Sequence, residues 1–180
     1  MTVRSRRKDF RREPAGAWRG ELSSFLSSNR RAFGLLIGHG DDIGARFCGV
    51  RAEEIQSTGD YTHLWFHACS CGKRFSPRVA ELGIATYGFV TNVLAGTGNG
   101  VEFKACLSAV KRLNSDASAQ DVKRAVQAAW RNLAYDFLSR RHDIFGAAAI
   151  SHLRLGLRAF EPASRSRAPG DTRPSDDGAK

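Results

Sequence analysis

The stretch Tyr61-Thr-His-Leu-Trp-Phe-His-Ala-Cys-Ser-Cys-Gly72 decides how the chain is read. Its alternation predicts an extended strand over 61–69, with His63, Trp65, His67 and Cys69 on one face and Thr62, Leu64 and Phe66 on the other. Residues 43–51 read as a second strand, and the Ser57-Thr-Gly-Asp60 turn between the two predicts an antiparallel hairpin. With Thr58 and Gly59 as its loop, that hairpin sets Cys48 opposite Cys69. Zinc takes about four nitrogen or sulfur ligands in a tetrahedron, so Cys48, His67, Cys69 and Cys71 are the expected metal ligands and zinc the expected cofactor. The plainer role for the same residues is small buried hydrophobes beside a hydrogen-bonded strand histidine.

Upstream, Leu22, Phe25 and Leu26 have helical spacing, and Ala32 to Ile37 reads as a strand ended by Gly38-His-Gly-Asp-Asp42. Downstream the period changes. Ser76 before Pro77 predicts an N-cap and first turn, opening a helix through Val79, Leu82, Ile84, Phe89 and Val90 toward Gly96-Thr-Gly-Asn-Gly100. A second helix over 101–113 carries Phe103, Cys106, Leu107 and Val110 on one side. Ser118 and Asp121 form a capping box ahead of Val122, Val126, Trp130, Leu133 and Phe137, and a last helix is predicted over 143–160. The expected fold is α+β: a small antiparallel β-sheet in the N-terminal half followed by about four helices. One globular domain over 20–160 is expected between a basic disordered arm, 1–19, and a disordered tail, 161–180.

The net charge of +10 comes mostly from arginine, whose planar fork suits phosphate. Arginine-rich genome composition would give the same bias with no partner implied. Residues 4–19 hold seven cations against Asp9 and Glu13, a net +5. An anionic partner is expected, nucleic acid and RNA first, bound without an enzymatic step by Arg4, Arg6, Arg7, Lys8, Arg11, Arg12, Arg30, Arg31, Lys73 and Arg74, with Trp18 stacking on bases. An arginine-rich arm on a compact core resembles the layout of small viral proteins, including capsid proteins and suppressors of RNA silencing. That layout implies a viral accessory protein, or alternatively a capsid-like homo-oligomer.

A third reading rests on Gly98-Asn-Gly-Val-Glu-Phe-Lys-Ala-Cys-Leu-Ser-Ala-Val110, which resembles the nucleophile region of viral papain-like and OTU-like cysteine peptidases. The resemblance implies Cys106 as nucleophile, its thiolate favoured near a helix N-terminus, with His142 or His152 as base. The His-x-Glu and Pro-Cys-x-x-Cys pair of zinc deaminases is absent. No apolar run reaches the roughly 18 residues of a membrane span. Four cysteines are too few for a disulfide framework, so a reducing compartment, cytoplasmic or nuclear, is expected.

Overall fold

A computed structural model of the chain describes residues 3–5, 33–41, 43, 45–93 and 100–163. Its centre is a five-stranded mixed sheet made of β1 (Val3–Ser5), β2 (Phe33–Ile37), β6 (His63–His67), β7 (Ala85–Phe89) and β8 (Leu157–Phe160), in the order β1-β2-β6-β7-β8. The first four run parallel and β8 closes the far edge antiparallel. Between β2 and β6 the chain folds into a small antiparallel sheet of β3 (Gly40–Asp41), β4 (Arg46–Phe47) and β5 (Val50–Arg51), followed by a 3-10 turn, Ala52–Glu54. Four α-helices are described: α1 (Phe75–Ala80), α2 (Val101–Lys111), α3 (Ala119–Ser139) and α4 (Ile144–Gly156).

Every residue of β6 and of β7 is buried, as expected for central parallel strands covered on both faces. Their alternation divides two cores. On one face Phe33, Leu35, Trp65, Tyr87 and Phe89 meet Val110 of α2, Val122, Val126 and Trp130 of α3, and Ile150 and Leu153 of α4. On the other, Leu64 and Phe66 pack with Phe47, Ile55, Phe75, Val79 and Ile84. Trp130 meets Trp65 edge-on with ring centroids 5.7 Å apart and donates its indole N–H to the Glu102 carbonyl at 2.9 Å. Each large side chain so buried contributes about 1.5–3 kcal/mol.

The mixed α and β content, the small antiparallel sheet, the four helices and the Ser118–Asp121 capping box are as the sequence predicts. The connections differ. Residues 43–51 do not pair with 61–69. Cys48 and Gly49, at φ +50° and +77°, make a two-residue turn between Phe47 and Val50, so this segment pairs with itself while β6 pairs with β2 and β7. The helix expected from Ser76 onward ends at Ala80, because Gly83 takes φ +83° and the β-branched and aromatic residues of 85–89 enter the sheet. Ser76 lies inside α1 instead of capping it, and its hydroxyl donates to the Tyr87 carbonyl at 3.1 Å.

The ends also depart from the expected boundaries. Residues 3–5, placed in the arm, form edge strand β1, and 157–160, placed in the last helix, form β8. Glu161, placed in the tail, accepts hydrogen bonds from the first two backbone N–H groups of α3, those of Ala119 and Gln120, at 3.2 and 3.1 Å. A carboxylate there satisfies otherwise orphaned donors and complements the helix dipole.

Candidate active site

The parallel pairing of β2 with β6 decides which polar groups meet at the C-terminal edge of the sheet. Ile37 aligns with His67, and the Gly38 N–H donates to the His67 carbonyl at 3.2 Å, carrying the ladder one step past the strands. His39 and Cys69 therefore occupy corresponding positions, each two residues beyond an aligned pair. His39 is exposed and Cys69 is half-buried. The two segments touch: a Cβ built on Gly40 would fall 1.9 Å from the Cys69 carbonyl oxygen and 2.7 Å from Cys71 Sγ. Only glycine fits after His39. A Cβ on Gly38 would fall 2.3 Å from Cys48 Sγ, so His39 sits between two glycines whose missing side chains make room for thiols.

The loop that carries Cys69 is pinned. Ser70 takes φ +55°, a left-handed conformation that a non-glycine residue holds only when its surroundings impose it. They do so through Ser70 N–H to Thr91 C=O at 3.0 Å and Gly72 N–H to Phe89 C=O at 2.8 Å. Cys69 Sγ itself accepts a hydrogen bond from the Val93 N–H at 3.2 Å.

Cys48 and Cys71 lie behind this edge. Cys71 is buried, and burial, with Cys48, Cys69 and Asp41 nearby, pushes its thiol up to about 12. Burial also raises the Cys48 thiol, against a backbone hydrogen bond from the His39 segment. All four cysteines are free thiols.

The four expected metal ligands do not gather around one point. Cys71 packs in the core under the small sheet with Cys48 beside it, whereas His67 faces the helices, its ring against Phe89 at 4.9 Å and Phe103 at 4.6 Å. Burial among those rings lowers the His67 pKa to about 3. The antiparallel pairing expected to set Cys48 opposite Cys69 does not form, since the Cys48 segment pairs β4 with β5 and β6 pairs with β2 and β7. Among the described residues no group of three or more His, Cys, Asp or Glu is placed to hold a metal ion.

Cys106 sits on the inward face of α2, 1% exposed, with its thiol raised by burial. The histidines paired with it by resemblance have other surroundings. His152 Nε2 lies 2.9 Å from the Asn92 carbonyl, and His142 takes φ +53° in the turn before α4, where Asp143 caps the helix through Gly146 N–H at 2.8 Å.

Of the expected phosphate-binding residues, Lys73 and Arg74 are exposed at the start of α1. Arg4 lies in β1 with only its backbone described, and Arg6, Arg7, Lys8, Arg11, Arg12, Trp18, Arg30 and Arg31 lie outside the described residues. His39 escaped the sequence reading, although a histidine between two glycines directly after an apolar strand was the available signal. Comparison of the chain with protein-family models, with curated proteins and with solved structures finds no match.

Among the described residues no helix is long and apolar enough to cross a membrane.

Proposed function

We propose that this protein is a cysteine-nucleophile hydrolase in which Cys69 attacks an acyl substrate and His39 is its base. The observation that carries the reading is the placement of His39 and Cys69 at matching positions past the C-terminal ends of two adjacent parallel strands. Ligands of open parallel sheets bind in the crevice outside those strand ends.

In the reaction, His39 takes the proton from the Cys69 thiol and sulfur bonds to the carbonyl carbon of an amide. The C–N bond then breaks, the amine leaves with the proton held by His39, and water cleaves the thioester to release the acid and restore the thiol. The Val93 N–H donates to the same sulfur and fixes its position. Gly40, directly after His39, lets the two segments approach closely, its missing side chain leaving room for the Cys69 backbone. This reading keeps the thiol-nucleophile chemistry expected for Cys106 and moves it to Cys69.

The test uses a panel of peptidyl acyloxymethyl ketones, which alkylate an activated thiolate, read by intact mass and peptide mapping. A single adduct on Cys69 is expected, absent in Cys69→Ala and formed about 10²-fold or more slowly in His39→Ala. An adduct on Cys48, Cys71 or Cys106 instead, or an undiminished rate in His39→Ala, overturns the assignment.

A further inference from the structure

We infer that the outer surface of α3 near its C-terminal end binds single-stranded nucleic acid, through arginines that hold phosphates and exposed rings that stack on bases. The surface is separate from the Cys69 edge and stands on its own observations. A groove of about 460 Å³, lined by Arg131, Asn132, Tyr135, Asp136 and Arg140, runs along this helix. Its volume falls in the range of small-ligand sites, about 300–1,000 Å³, and so accommodates a nucleotide. Arg131 and Arg140 are separated by about 13 Å of helix axis with Tyr135 between them.

Tyr135 is 71% exposed and Phe145, just past the turn into α4, is 89% exposed. Two uncovered aromatic rings, one in the groove and one ten residues on in sequence, have no role in the core, whereas base stacking on such rings with cations beside them is how single strands are held. The carboxylate in the groove does not cancel the cations. Asp136 engages Arg140 at 3.6 Å and Arg141 at 3.0 Å, which holds two guanidiniums in place at the groove's end, while Arg131 makes no ion pair among the described residues. Residues 101–160 carry ten Lys and Arg against five Asp and Glu, a net +5, so the helical layer as a whole attracts a polyanion. Arginine in place of lysine along α3 adds bidentate contact to phosphate. An apolar partner protein would use the exposed Leu138 and Ile144. The arginines and the polar groove favour the nucleic acid.

The experiment measures fluorescence anisotropy of labelled oligo(U) and of an RNA duplex with the full chain across a salt series. It is paired with photo-crosslinking to 4-thiouridine RNA and peptide mapping. Tight, salt-dependent binding of oligo(U) is expected, with crosslinks in 132–140 and 142–154. Arg131→Glu with Arg140→Glu should weaken binding about tenfold or more and lower the salt slope, and Tyr135→Leu with Phe145→Leu about fivefold or more at an unchanged slope. Circular dichroism confirms that these surface variants fold. The inference fails if oligo(U) does not bind at low salt. It fails equally if both variants bind like the parent with crosslinks confined to 1–32, or if duplex binds as tightly as single strand regardless of the aromatic changes.

Discussion

Cys69 and Cys106 are the same side chain in opposite circumstances. Cys69 stands half-buried at the open edge of the sheet, in a turn strained at Ser70 and with a backbone N–H on its sulfur. Cys106 stands on a regular helix and is closed in by the aromatic core, where burial alone raises its thiol. Thiol chemistry needs access, and helix packing removes it. Access to a thiol in this chain follows from where an element ends, since strand ends expose side chains that strand and helix interiors cover.

The contrast can be broken most directly by alkylation. Iodoacetamide should modify Cys69 at least about 10³-fold faster than Cys106, because Cys106 reacts only after the core opens, at a cost approaching the global stability of a folded domain. Comparable rates would abolish the distinction.

Mutational stability gives the next largest effect. Trp130→Ala, emptying the site beside Trp65 and Phe89, should cost about 3–5 kcal/mol in denaturant unfolding, whereas Arg74→Ala at the exposed start of α1 should stay within about 0.5 kcal/mol.

The pH dependence sharpens the difference between core and edge. The folded protein keeps His67 neutral down to about 3, while the unfolded chain protonates it below its ordinary 6.5. The unfolded state then binds more protons, so stability falls as pH drops from about 6.5 toward 3, by about 1.4 kcal/mol per pH unit from this group. His67→Phe, which retains the ring contacts, should flatten that slope in urea titrations at stepped pH. An unchanged slope would mean that His67 is not held neutral. The smallest effect is at a helix end, where Ser118→Ala removes the acceptor for the Asp121 N–H at 3.1 Å and should cost about 1 kcal/mol by thermal unfolding.

Local chemistry was legible wherever a side chain and its own backbone settle the matter. The capping box at Ser118, the 3.6-residue stripe of Val122, Val126 and Trp130, and the strands ending at Ile37 and near His67 could all be read directly. Residues 85–89 also continue a helical stripe, with Val79, Leu82, Phe89 and Val90 at helical spacing, and the left-handed Gly83 lies between α1 and β7. The expected hairpin of 43–51 with 61–69 does not form, because alternation says which residues share a face of one strand and leaves open which strands lie beside it. Taking β6 as half of a hairpin brought Cys48 to Cys69 and left His39 as a turn residue.

The sequence by itself determined the mixed α and β content, the charge, the principal helix with its cap, and the apolar residues that form both cores. Those properties depend on neighbours within a few positions, where propensity, capping and periodicity act. Only the tertiary structure decided that β2, β6 and β7 lie parallel, that His67 faces the helices while Cys71 lies under the small sheet, and that His39 reaches the level of Cys69. Each depends on pairing between segments 22 to 30 residues apart in sequence, and that pairing is selected by the joint burial of two sheet faces, which no single stretch of chain encodes.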